Sequence, residues 1–175
     1  MTDMLVKLYD LPALSPVQDR LQGQGIEIRR PFPSEKRILV PWIETHFYKI
    51  WAAECAAVLE RDPIDCFIAI ERQAVSSPDD NPYNLPPEKL IGFACFDAAR
   101  KGMFGPMAVL ETYRGRGIGQ GLLLTALHAM WEQNYAYAVI WWVGPAEFYA
   151  KTVGAIPIAG SAPGFYRGPL VADKT

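Results

Sequence analysis

A chain of 175 residues with 50% hydrophobic and 21% charged side chains has the length and apolar content of one folded domain and is too apolar to stay disordered. A net charge of −2, with no basic run longer than two residues, argues against nucleic acid as a partner. No apolar run approaches the ~18 residues that would span a bilayer, so no membrane partner is expected. Met1-Thr2-Asp3-Met4 has neither the basic nor the apolar part of a secretory signal, and the expected location is cytoplasmic. Cys55, Cys66 and Cys95 are odd in number and lack ligand spacing. They read as reduced, mostly buried thiols, with no metal.

Leu5, Val6, Leu8 and Tyr9 predict a short strand closed by Asp10-Leu11-Pro12. Ser15-Pro16 predicts a helix with a serine cap and a proline in its first turn, running to Gln22 and ended by Gly23 and Gly25. These residues, 1–25, form an extension to a core over 26–175, and the whole is read as one domain. Ile26-Glu27-Ile28-Arg29 alternates apolar and charged, as a strand with one buried face does. A helical region opens near Ser34-Glu35-Lys36, and Pro41 inside it predicts a kink or a fresh helix start. Trp42, His46, Phe47, Ile50, Trp51 and Cys55 carry helical spacing on to about Arg61. Most of these aromatic residues suit core packing, and His46 reads first as a packed histidine.

Asp65 to Ile70 predicts a strand and Leu90 to Phe96 the next. Between them, 76–88 holds Pro78, Pro82, Pro86 and Pro87 and reads as a surface loop longer than the usual ~2–5 residues. A lid and a neutral insertion fit it equally. A turn at Lys101-Gly102 leads into Met103 to Val109 and completes an antiparallel meander of three strands.

The most informative stretch follows. Glycines at 115, 117, 119 and 121 alternate with Arg116, Ile118 and Gln120, directly before a strongly apolar helix. Glycine permits positive φ and close backbone approach, and a helix start presents unpaired N–H groups and a positive dipole end. With Arg114 and Arg116 beside them, these features make an anion cradle suited to phosphate. The spacing fits neither G-x-G-x-x-G nor a P-loop, which disfavours a nucleotide-binding α/β protein. In the helix, Leu123, Leu127 and Met130 form one apolar stripe and Leu122, Ala126 and Ala129 another. Tyr135 to Val143 predicts a buried strand, Ala146 to Lys151 a short helix, and Gly154 to Ile158 a closing strand. Gly164 to Gly168 reads as one more strand.

Arg114-x-x-Gly117-x-Gly119 after a strand ending in Ala108-Val109 resembles the pyrophosphate loop of the GNAT superfamily of N-acetyltransferases. Phe148-Tyr149-x-x-x-Gly154-Ala155 is similar to that superfamily's F-Y-x-x-x-G-F signature. The resemblance implies an α/β (α+β) fold with a mixed, largely antiparallel sheet and helices on both faces. Counted from residue 26, the sheet would splay between its fourth strand, 103–109, and its fifth, 135–143. It also implies acetyl-coenzyme A as co-substrate, its pantetheine arm paired with Met107, Ala108 and Val109. The pyrophosphate would lie on Arg114, Gly115, Arg116, Gly117, Ile118, Gly119 and Gln120. A primary amine of a small molecule or peptide would attack the thioester directly in a ternary complex, with a strand backbone N–H facing the developing oxyanion. Tyr149 would be the acid that protonates the departing thiolate.

Two positions depart from the family pattern. Trp142 stands where many members carry an asparagine, and Met103 where some carry a glutamate base. Asp97, Glu71 and Glu54 are then the candidate bases, each also readable as an ordinary carboxylate. The helices before residue 61 would wall the acceptor pocket, opposite the loop 76–88. A non-catalytic acetyl-coenzyme A sensor of the same fold remains the competing reading, and the last apolar strand could pair across a homodimer.

Overall fold

The structure is a computed structural model that describes residues 2–72 and 88–166. Seven strands form one sheet: β1 (Met4–Lys7), β2 (Ile26–Arg29), β3 (Cys66–Arg72), β4 (Glu88–Phe96), β5 (Met103–Val109), β6 (Tyr137–Ile140) and β7 (Ile156–Pro157). Their spatial order is β2-β3-β4-β5-β6-β1-β7. Every neighbouring pair is antiparallel except β5 and β6. Five α-helices accompany the sheet: α1 (Ser15–Gln22), α2 (Lys36–His46), α3 (Lys49–Val58), α4 (Ile118–Glu132) and α5 (Ala146–Val153). The expected mixed, largely antiparallel architecture is the observed one.

Both faces of β3 and β4 are covered, which explains their continuous apolar sequence. On one face Phe67, Ala69, Ile91 and Phe96 join the cluster built around α4. On the other, Cys66, Ile68, Ile70, Phe93 and Cys95 meet Leu39 and Ile43 of α2 and Ala52, Cys55 and Val58 of α3. Helix α4 is wrapped almost all round. Leu122, Leu123, Leu124, Ala126, Leu127 and Met130 are all fully buried, because β3–β5 hold one side of the helix and α1 packs against it as well.

Several details differ from the sequence expectation, among them that Leu8 and Tyr9 leave the first strand for a 3-10 turn over Leu8–Asp10 and that the closing strand is only Ile156–Pro157. Ser15 is the first residue of α1 and no side chain caps that helix. The break in the second helical region falls at Phe47 (φ −136°, ψ −125°) and Tyr48, whereas α2 runs through Pro41 unbroken. Pro41 is the sixth of the 11 residues of α2, so the helix runs on while forgoing the one hydrogen bond that residue 41 would have made to the Arg37 carbonyl. Strand β6 covers only Tyr137–Ile140 of the run 135–143, because Trp142 turns into left-handed backbone (φ +52°) and donates its N–H to Asp3 Oδ1 at 3.0 Å. Residues 164–166 are not in a strand. The rest of that segment, and the loop at 76–87, lie outside the described residues.

The N-terminal segment belongs to the sheet. Strand β1 sits between β6 and β7, pairing Met4 with Ile140 and with Pro157. Helix α1 packs against the start of α4 at Gly121, where a Cβ would lie 2.6 Å from both Leu21 Cδ1 and Ile28 Cδ1. Gly121→Val should therefore overpack this junction and cost about 1–3 kcal/mol, read as a lower urea midpoint. A variant as stable as the parent would show that α1 yields there without cost.

Candidate functional site

The parallel pair β5–β6 is joined at only two positions, Met103 with Val139 and Phe104 with Ile140. Beyond them β5 continues to Val109 while β6 has ended. On its other side β5 stays bonded to β4, with Ala94 opposite Met107, Phe93 opposite Ala108 and Gly92 opposite Val109. Met107 to Val109 therefore present one strand edge to a gap. These half-buried residues have no strand partner on this side, so the edge can pair with an extended ligand.

The gap is part of a cleft of about 1430 Å³. Its floor is Met107 to Leu110, and one end is formed by Arg114, Gly115, Gly117, Ile118, Gly119 and Gln120. His46, Phe47, Tyr48 and Trp51 form one wall, and Gly144, Pro145, Phe148, Tyr149, Lys151 and Thr152 another. The break between α2 and α3 creates the first wall. It turns the ring of Phe47 onto Phe93, with centroids 5.9 Å apart, and leaves Tyr48 edge-on to Trp51 at 4.8 Å. Trp42 packs inward against Phe93 instead.

Among the alternate glycines, Gly115 (φ +79°) and Gly117 (φ +85°) have the left-handed backbone expected of a tight turn. Gly117 stands immediately before α4, whose first N–H groups thus face the cleft end. Gly121 serves the α1 junction and does not line the cleft. Arg114 is exposed at the cleft rim. Arg116 does not line the cleft either. Its guanidinium lies over the Tyr113 ring, donates to Glu71 Oε1 at 3.2 Å and reaches Gln24 Oε1 at 3.3 Å. It braces the turn from behind and leaves only its backbone to face an anion.

Sequence reasoning missed a second brace. Arg20 of α1 donates to Gln120 Oε1 at 2.8 Å, and its Nη2 lies 2.9 Å from the Cβ that any side chain at 117 would carry. The contact links residues 100 positions apart, and no local pattern signals it.

None of the three candidate bases lines the cleft. Asp97 is buried at the β4–β5 turn, where it accepts hydrogen bonds from the Gly102 N–H (2.7 Å), Lys101 Nζ (2.9 Å) and the Tyr135 hydroxyl (2.6 Å). Glu71 is taken up by Tyr113 and Arg116, and the Tyr113 hydroxyl at 2.6 Å is the main reason its carboxyl sits below the usual carboxylate range. Glu54, on α3, has one carboxylate oxygen buried without a partner among the described residues. Burial pushes its carboxyl up to about 6. His46 does line the cleft, beside Trp42 at 5.3 Å. Tyr149 is mostly buried in the opposite wall, edge-on to Phe148 at 5.1 Å, and burial pushes its hydroxyl up to about 12. That hydroxyl keeps its proton at neutral pH. Trp142 is half exposed, stacks on Trp141 and does not line the cleft.

The cysteines, widely separated in sequence, come together. Cys55, Cys66 and Cys95 are fully buried, with their sulfurs within 4.8 Å of one another. Their spacing in sequence concealed this because three different elements supply them. Among the described residues no helix is long and apolar enough to cross a membrane.

The model of the acetyltransferase (GNAT) family matches residues 35–155. No curated protein matches the chain in sequence. Solved structures do resemble it. One is a GCN5-related glucosamine N-acetyltransferase region in a fungal multi-domain GH3 β-N-acetylglucosaminidase, 20% identical, covering 90% of this chain and 19% of that one, with a TM-score of 0.66. Another is a GCN5-related N-acetyltransferase from Sphaerobacter thermophilus, 19% identical over 90% of this chain and 48% of that one, with a TM-score of 0.59. A Drosophila protein is 16% identical over 90% and 47% of the two chains, with a TM-score of 0.54. At these identities the likeness is one of fold. The chain spans less than half the length of each.

The Glu54 carboxyl yields a pH test. Its folded value of about 6 exceeds its ordinary 4.5, so the folded protein holds that proton more tightly than the unfolded chain does. The stability it contributes is present below about 4.5 and lost as pH rises through about 6. In Glu54→Gln the urea midpoint should exceed that of the parent above pH 6, with the difference shrinking towards pH 4.5. A parent more stable than the variant at pH 7 would contradict a desolvated carboxylate.

Proposed function

This chain belongs to the acetyltransferase (GNAT) family, and from that premise we propose that it moves an acetyl group from acetyl-coenzyme A to a primary amine of a small molecule or peptide. The observation that carries the proposal is the convergence, in one cleft, of an unpaired strand edge at Met107–Val109 and a glycine turn at a helix start. These are the two features an acyl-coenzyme A requires. Its amide-bearing arm needs strand-like partners, and its pyrophosphate needs backbone N–H groups. The residues present fit it: the turn carries no carboxylate, Gly115 and Gly117 leave its backbone uncovered, and Arg114 adds charge at the rim.

Bound acetyl-coenzyme A supplies a thioester carbonyl as electrophile. The chain's own residues then have three tasks. The aromatic wall of Phe47, Tyr48 and Trp51 holds the acceptor and excludes water. An alkylammonium, with a pKa near ~10.4, must lose a proton before its nitrogen can attack. We assign that proton to His46, whose ring nitrogens can accept it and which stands on the acceptor wall. The C–N bond then forms as the C–S bond breaks. Tyr149, held protonated by its burial, would donate to the leaving sulfur from the opposite wall, and the second proton, which the nitrogen sheds as it becomes an amide, would restore the tyrosine hydroxyl. A thiol of pKa near ~8.5 leaves readily, so this assistance falls at the low end of the ~10²–10⁴-fold typical of general acids.

The decisive experiment is mass spectrometry of an amine panel incubated with the protein and acetyl-coenzyme A. Acetylated product dependent on the protein supports the proposal. Tight coenzyme binding with no product from any amine would favour a sensor of the same fold. Gly117→Glu should weaken acetyl-coenzyme A binding more than about tenfold by calorimetry, through clash and like-charge repulsion. Unchanged affinity in the folded variant would displace the pyrophosphate from this turn. Tyr149→Phe should lower kcat about 100-fold while leaving coenzyme affinity intact. Unchanged turnover with chemistry rate-limiting would remove Tyr149 from the mechanism.

A further inference from the structure

We propose that Cys55, Cys66 and Cys95 form a buried three-sulfur site for a single cuprous ion. The site lies behind the aromatic wall of the cleft and does not depend on the acetyl-transfer reading. Its geometry comes from three elements. Cys66 and Cys95 are direct cross-strand partners on β3 and β4, and both point to the face covered by α3. Cys55 descends from α3 onto that pair, with its Sγ 3.9 Å from Cys66 Sγ. All three sulfurs lie within 4.8 Å of one another.

The chemistry of the donor set selects the ion. Thiolates favour soft cations over magnesium, calcium or manganese, which need oxygen ligands. Zinc takes four ligands in closed protein sites, and no fourth His, Cys, Asp or Glu joins this group among the described residues. A water as fourth ligand would find no polar partner where three cysteines 0% exposed sit in an apolar cluster with Ile43, Val58, Ile68 and Phe93. A soft ion satisfied by three sulfurs remains, and monovalent copper has that character. A metal–sulfur bond of about 2.3 Å in a planar three-coordinate array sets sulfurs about 4 Å apart, close to the Cys55–Cys66 separation.

Charge is also accommodated. If the ion replaces two thiol protons, which leave to solvent, and the third sulfur binds as a neutral thiol, the site carries one negative charge. The guanidinium of Arg30, stacked at 4.7 Å on Phe67 on the opposite face of β3, supplies positive charge from across the sheet. The ion would tie α3 to the β3–β4 ladder. Trp51 lies one helical turn before Cys55 on the same face, so the tie also fixes the part of the cleft wall that Trp51 forms.

The test uses the full-length chain, kept reduced and free of oxygen. Cuprous ion is supplied as its acetonitrile complex against a cuprous chelator, bathocuproine disulfonate, and bound copper is measured after gel filtration. Because the sulfurs are buried, a parallel sample is refolded from urea with the ion present. The expected result is one copper per chain, three sulfur neighbours by X-ray absorption, and a raised thermal midpoint. Cys95→Ala, a small apolar replacement, should lose the copper and the thermal shift. The parent overturns the proposal without any variant if it holds no copper after refolding, or holds it without three sulfur neighbours. Retention of copper by folded Cys95→Ala overturns it equally, and so does one-to-one zinc uptake that displaces copper.

Discussion

Two parallel strands that part company after two residue pairs control the architecture of this protein. Had β6 continued beside β5, the backbone of Met107–Val109 would be satisfied within the sheet and no cleft would exist. The separation is enforced at the end of β6. Trp142 adopts left-handed backbone, and its N–H is held by the carboxylate of Asp3. Gly144 and Pro145 then redirect the chain into α5, which returns Phe148 and Tyr149 to the far wall. Asp3 immediately precedes β1, so the N-terminal segment helps to hold the gap open.

The same segment steadies the anion-binding turn. A turn rich in glycine is pliable by composition, yet an anion site functions best when its N–H groups are already aligned. Rigidity comes from outside the turn. Arg20 bonds Gln120, Gln24 bonds the Arg116 backbone and side chain, and Leu21 fills the space left by Gly121. From the sheet, Glu71 fixes Tyr113 and Arg116. The carboxylate that looked like a candidate base is a clamp on the turn.

Legibility in the sequence followed the range of the interactions. The meander, the glycine turn and α4 depend on local periodicity and on glycine spacing, and they lie where the sequence places them. The break at Phe47 was not readable, because Pro41 is a stronger local signal than the packing of Phe47 on Phe93 that stops α2. The early end of β6 was hidden for the same reason: its cause, Asp3, is 139 residues away. Arg116 lies in the turn, but its guanidinium is drawn to Glu71 and Gln24, an orientation that no local pattern signals. The three cysteines carry no sequence pattern because the sheet, rather than the spacing, unites them.

The central claim is that the exposed edge of β5 and the glycine turn before α4 together receive one ligand. Hydrogen–deuterium exchange with and without acetyl-coenzyme A tests it most directly. The account predicts that amides in Met107–Val109 and in Gly115–Gln120 both slow when acetyl-coenzyme A is added, while those of β1 and β2 do not change. Protection confined to one of the two segments, or absent from both at saturating ligand, would contradict it.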